Sequence, residues 1–228
     1  MNPTIDTDQA QTLAPNATEV AARSDEKLLL EGPVGVIEAL TAYPKDFPPG
    51  APIAVICHPH PLYAGSMGNK VVYMISRSFI EMGVATLRFN FRGVGKSEGC
   101  FDEGKGESED LLTVVDWFRR RHPDRPLWLA GFSFGAYVAT RACEAIAPER
   151  LLLVAPPVTM FDFTSIAPLQ VPYMVVQGGR DEIIKSEAVG QWVITQPQRP
   201  VYHWMSDADH FFHGRLNRLR DVIVRSWA

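Results

Sequence analysis

Apolar residues along this chain fall into two alternating patterns, and their alternation predicts the architecture. Short, nearly continuous apolar runs occur at Pro52–Cys57, Val84–Phe89, Leu127–Ala130, Leu151–Val154, Val171–Val176 and Pro200–Trp204. Runs of that length, without polar residues at every second position, predict strands buried on both faces. Between them, apolar residues recur at helical spacing. Val71, Val72, Ile75 and Phe79 form one stripe, closed by Gly83; Leu111, Val114, Val115 and Phe118 form a second. Acidic residues open the second helix and Arg119, Arg120 and Arg121 close it, matching the helix dipole. A last helix carries Leu216, Leu219 and Ile223. Ahead of these units, Leu28–Leu30 and Val34–Leu40 flank the turn residues Glu31, Gly32 and Pro33, which predicts an antiparallel hairpin. The whole is an α/β chain: a mostly parallel, doubly wound sheet covered on both faces, with its functional loops at the strand C-terminal ends.

Composition narrows the setting. A chain of 228 residues, 46% hydrophobic and 21% charged, suits one domain with a sizeable core, expected over residues 27–228. Residues 1–26 lack a clear period and read as a flexible tail. The net charge of −4 gives no general attraction to nucleic acid, so no polyanion partner is expected. The N-terminus has no basic region of a signal peptide, and no apolar stretch reaches spanning length; neither secretion nor a membrane partner is expected. Cys57, Cys100 and Cys143 form no C-x-x-C pair, which suits a reducing cytoplasm.

The chemistry centres on Gly131-Phe132-Ser133-Phe134-Gly135, set between an apolar strand and the helix-like run from Ala136. Glycines at that spacing permit a sharp strand-to-helix reversal that stands a serine hydroxyl at the end of a sheet; the alternative is a serine that caps the helix. A serine nucleophile needs a histidine base, held in turn by an acid. Asp181, in Gly178-Gly179-Arg180-Asp181, follows one strand, and His210 follows the last. Ser133, Asp181 and His210, each past a strand end, follow the Ser…Asp…His chain order of the α/β-hydrolase fold. His213 is the reserve base, while His203 and His122 read as structural; Asp207, Asp209 and Glu182 are rival acids. After the first buried strand, Cys57-His58-Pro59-His60-Pro61-Leu62 sits where this fold supplies half of an oxyanion hole. Prolines have no N–H, which leaves His60 or Leu62 as backbone donors beside Phe134.

Two other motifs point away from the serine. His58-x-His60 is a possible metal pair, but no ligand cluster accompanies it, and no metal or other cofactor is expected. Asn90–Ser97 nearly spells a phosphate-binding loop, yet Asn90 replaces its first glycine and an acidic loop follows Ser97 in place of a helix.

His58–Tyr63 with Asn69–Val72, Arg88–Gly99, Gly131–Gly135 and Asp209–Gly214 together resemble the small, lidless bacterial α/β-hydrolases, over the stretch from about Lys27 to Ala228. The resemblance implies Ser133 as nucleophile, Asp181 as acid and His210 as base. Aligning His58-Pro59-His60 with the strand-end His-Gly-x of such hydrolases favours His60 as the oxyanion donor. The chain departs from the pattern with Ala64 before Gly65, where paired glycines are expected. The expected activity is hydrolysis of small carboxylic esters or thioesters with short acyl chains. A peptidase or acyltransferase on the same three residues, and a binding protein of the same fold without turnover, are the alternatives. Met160, Phe161 and Phe163 are candidates for an acyl pocket, or for core.

Overall fold

In a computed structural model of the chain, residues 25–227 are described; the tail expected over 1–26 lies almost wholly outside them. Eight strands form one sheet: β1 Glu26–Gly32, β2 Gly35–Ala42, β3 Ile53–Cys57, β4 Ala85–Phe89, β5 Leu127–Phe132, β6 Arg150–Val154, β7 Tyr173–Gly178 and β8 Val201–Met205. Their order across the sheet is β1-β2-β4-β3-β5-β6-β7-β8. From β4 to β8 every pairing is parallel, whereas β1 pairs with β2 and β2 with β4 antiparallel. The expected hairpin is therefore present, turning at Pro33 and Val34 between the paired Gly32 and Gly35.

The helices are α1 Lys70–Glu81, α2 Lys105–Arg121, α3 Phe134–Ile146, α4 Ser186–Thr195 and α5 Leu216–Trp227. The continuous apolar runs are explained by a core on each side of the sheet. Val55, Leu87, Leu129, Leu153 and Val175 face α2 and α3; Ala54, Ile56, Ala130, Leu152, Met174 and Val176 face α1 and α5. Strand residues alternate between the two cores, so both parities are largely apolar. The predicted helical stripes are the buried faces of α1 and α2.

The near-miss phosphate loop is a structural turn. Ser97 Oγ donates to the Asn90 carbonyl (2.7 Å) and accepts from the Glu38 N–H (2.9 Å). The Glu38 carboxylate takes the Lys96 N–H and the Asn90 Nδ2, tying the loop to β2. Beyond it, Arg92 makes a buried bidentate pair with Asp110 of α2 (2.8–3.2 Å), which also accepts the Arg92 N–H. These bonds hold the long β4–α2 connection against the sheet end where β3 and β5 also terminate.

Candidate active site

At Ser133 the chain reverses between β5 and α3 with φ +54° and ψ −120°, a conformation that an L-residue adopts only under external constraint. The constraint is visible. The Ser133 N–H donates to the Val154 carbonyl (2.9 Å), and the Ser133 carbonyl accepts from Ala136 (2.8 Å). The flanking glycines are required by close approach. A Cβ at Gly131 would run into the Gly135 carbonyl, and one at Gly135 into the backbone carbonyls of Cys57 and His58. The second contact matters for geometry, because it presses the start of α3 directly onto the end of β3.

Ser133, His210 and Asp181 form one hydrogen-bonded chain, from the loops after β5, β8 and β7. His210 Nε2 is 3.2 Å from Ser133 Oγ, and His210 Nδ1 is 2.8 Å from Asp181 Oδ2. Both the His210 ring and the Asp181 carboxylate are withdrawn from solvent. Asp181 is saturated with donors: Oδ1 accepts from Ile183 N (2.9 Å) and Ile184 N (2.7 Å), and Oδ2 from Gln177 Nε2 (3.0 Å) as well as His210. A carboxylate accepts only, so the hydrogen between it and the ring is assigned to Nδ1, leaving Nε2 with a lone pair toward the serine. The other candidates are engaged elsewhere. His213, exposed, pairs with Asp209 (2.8 Å). Asp207 binds Arg215 and Arg218. His203 meets Ser226 (2.8 Å), and His122 is buried against Tyr43 (3.1 Å). Glu182 accepts the His210 N–H at 3.4 Å and makes no hydrogen bond to the His210 ring.

Gln177 is absent from the sequence-level candidates, though it carries a signal: a lone amide in the apolar strand Tyr173–Gly178, four residues before the acid and fully buried. Its Nε2 also reaches the Gly178 and Ile184 carbonyls, so it braces the loop that presents Asp181.

The loop after β3 forms the opposite wall. Pro61–Tyr63 make a short 3-10 turn, ending at Ala64 with φ +59°. The Leu62 N–H is spent on His60 Nδ1 (3.2 Å). The N–H groups of His60 and Phe134 have no acceptor among the described residues. The His60 ring sits among those of Phe101, Tyr63 and Phe134, with centroids 4.7–5.0 Å away. Burial alone lowers its pKa from the usual imidazole value. The His58 ring is engaged by the Pro59 carbonyl and the Phe91 N–H and the His60 Nδ1 by the Leu62 N–H, and the described residues contain no cluster of three or more His, Cys, Asp or Glu able to hold a metal.

Ser133 and His210 open onto a cavity of about 250 Å³ whose walls include His60, Phe134, Met160, Phe161, Ile183 and Phe211. Met160 and Phe161 therefore line it; Phe163 does not, being buried against Tyr137 and Trp192. Tyr63, Met160, Ile183 and Phe211 are exposed at the rim. A larger depression of about 440 Å³ runs along α3 and residues 165–171, remote from these groups, and has no nucleophile aligned with a base. No helix among the described residues is long and apolar enough to cross a membrane.

Comparison with known proteins identifies the fold. A family model described as an α/β hydrolase domain matches residues 64–220. An uncharacterized protein of Rickettsia prowazekii is 39% identical over 208 residues, covering 86% of each chain. Among solved structures, an α/β serine hydrolase without a lid from Xanthomonas campestris is 43% identical, with a TM-score of 0.84 over 90% of this chain and 95% of that one. An α/β serine hydrolase homologue from Coxiella burnetii is 42% identical, with a TM-score of 0.87 over 90% of this chain and 99% of its own. With the family model and these relatives matching along most of its length, the chain belongs to the α/β hydrolase family.

Proposed function

We propose that this hydrolase cleaves small carboxylic esters or thioesters through an acyl-enzyme on Ser133. The observation that carries the reading is the chain Asp181–His210–Ser133, with contacts of 2.8 and 3.2 Å, opening onto a 250 Å³ cavity. Ser133 Oγ attacks the ester carbonyl carbon while His210 Nε2 takes its proton, and Asp181 stabilises the resulting imidazolium. The carbonyl oxygen becomes an oxyanion between the free N–H groups of Phe134 and His60. Two such donors are worth most when already aimed, and removing one costs about 10²–10³ in rate. Leu62 is the poorer candidate because its N–H is already bonded. Collapse of the intermediate breaks the bond to the alcohol or thiol, which leaves with the proton from His210. Water then repeats the sequence on the acyl-serine, releasing the acid and restoring Ser133.

The test is hydrolysis of a 4-nitrophenyl ester series by the protein and by Ser133→Ala. Turnover of short esters is expected, with loss of about 10³-fold or more in the variant, down to background. Turnover that survives Ser133→Ala, or none with any ester, overturns the reading.

A further inference from the structure

His58 is fully buried beside the site, and the chemistry above does not use it. Its Nδ1 lies 2.6 Å from the Pro59 carbonyl oxygen, and its Nε2 accepts the Phe91 N–H at 3.0 Å. A carbonyl offers only lone pairs and an amide N–H only a proton, so these partners together permit one form of the ring: neutral, with hydrogen on Nδ1. The Pro59 carbonyl and the His60 N–H belong to the same peptide unit. That unit is planar and trans, as is every peptide bond in the described chain, so its N–H points opposite to its C=O. Grasping the oxygen on the buried side therefore aims the hydrogen at the cavity, whose wall includes both Pro59 and His60.

A second contact boxes in the same unit. The Gly65 N–H donates to the His60 carbonyl (3.0 Å), and a Cβ at Gly65 would collide with the Pro59 and His60 carbonyl oxygens. The ring of His58 is in turn fixed by the Phe91 ring at 4.6 Å. From this geometry we infer that His58 is a positioning residue which sets the direction of the His60 N–H by holding the Pro59 carbonyl, so that the oxyanion donor is aimed before substrate arrives. The inference rests on the oxyanion role proposed above for His60.

Two substitutions of nearly equal shape separate aiming from packing. His58→Asn retains an N–H donor near the place of Nδ1, whereas His58→Leu has none, and both leave a similar void. With a short 4-nitrophenyl ester, His58→Leu is expected to lower kcat by about 10- to 100-fold with KM little changed, as for a weakened oxyanion contact. His58→Asn is expected to recover at least several-fold of that loss. Equal kcat in the two variants, or a change confined to KM, overturns the inference. Nitrogen NMR of the unaltered protein supplies a test that needs neither variant folding nor turnover. The His58 ring is expected as the neutral Nδ1–H tautomer at pH 7, and an Nε2–H tautomer overturns the inference. A protein that hydrolyses no ester yet shows the Nδ1–H tautomer loses the esterase reading while keeping the hold on the Pro59 carbonyl.

Discussion

Asp181 accepts from four donors, and that number decides what its replacement does. Asp181→Asn keeps the shape but offers one oxygen in place of two, and its amide nitrogen has to face donors. Turned either way, it leaves the His210 Nδ1–H or the loop amides unmatched. The His210 tautomer is then free to reverse, and kcat for a short ester is expected to fall about 10³- to 10⁴-fold with KM held, measured by steady-state kinetics. His58 carries a prediction on stability rather than rate. Burial, opposed weakly by the Pro59 hydrogen bond, lowers its pKa from about 6.5 to about 4. The unfolded chain takes up a proton near pH 6.5 that the folded chain refuses until about pH 4. Stability is thus fully present above pH 6.5 and declines as pH falls toward 4, by about 3 kcal/mol from this group. Urea unfolding at a series of pH values is expected to show a shallower acid decline in His58→Asn than in the native sequence, and parallel slopes would refute the assignment.

At the scale of elements, the buried Arg92–Asp110 pair is an ionic tie between the β4–α2 connection and α2. Asp110→Ala leaves the Arg92 guanidinium without its bidentate partner in a site it barely shares with water. The expected cost is about 3–5 kcal/mol in denaturant unfolding, while replacing both residues by Met and Leu recovers most of it. The elements themselves differ in how plainly the chain declares them. Strands β3 to β7 are legible because burial on both faces keeps most of their consecutive positions apolar, with Thr86, Arg88 and Gln177 the buried polar exceptions. Helix α4 had no comparable signature. It buries only Val189 and Val193, contains Gly190, ends in Ile194 and Thr195, and begins at Lys185 without a side-chain cap. Strand β7 starts at Tyr173 rather than Val171, since Pro172 has no N–H to lend to a ladder. Among site residues, Ser133, Asp181 and His210 could be read from chain order and strand ends. The work of Gln177 and His58 depends on partners that spacing does not reveal: a loop curling back onto an amide, and an N–H 33 residues away at Phe91.

Taken whole, the molecule presents Ser133 at an open mouth. The segment between β6 and β7, residues 155–172, contains no helix or strand. Its Asp162 accepts from Thr164 and Ser165 of the same segment, closing a local turn. Hydrolysis of a short, sparingly soluble ester is therefore expected to saturate smoothly with concentration, with no jump in rate as the solution becomes an emulsion. A marked rise at that point would show that the mouth closes in water. The 250 Å³ cavity sets a second limit on the same measurement, with rates falling as the acyl chain outgrows it.

Met160 and Phe161 reach the cavity from the segment between β6 and β7, whereas Ser133, Asp181 and His210 stand on loops that follow β5, β7 and β8. Phe134, Ile183 and Phe211 add to the wall from those same loops, so the 155–172 stretch supplies one side of the cavity and no part of the hydrogen-bonded chain. A replacement at Met160 or Phe161 therefore reshapes that side of the cavity while leaving the Asp181–His210–Ser133 contacts, which lie on other loops, without a changed neighbour in the chain.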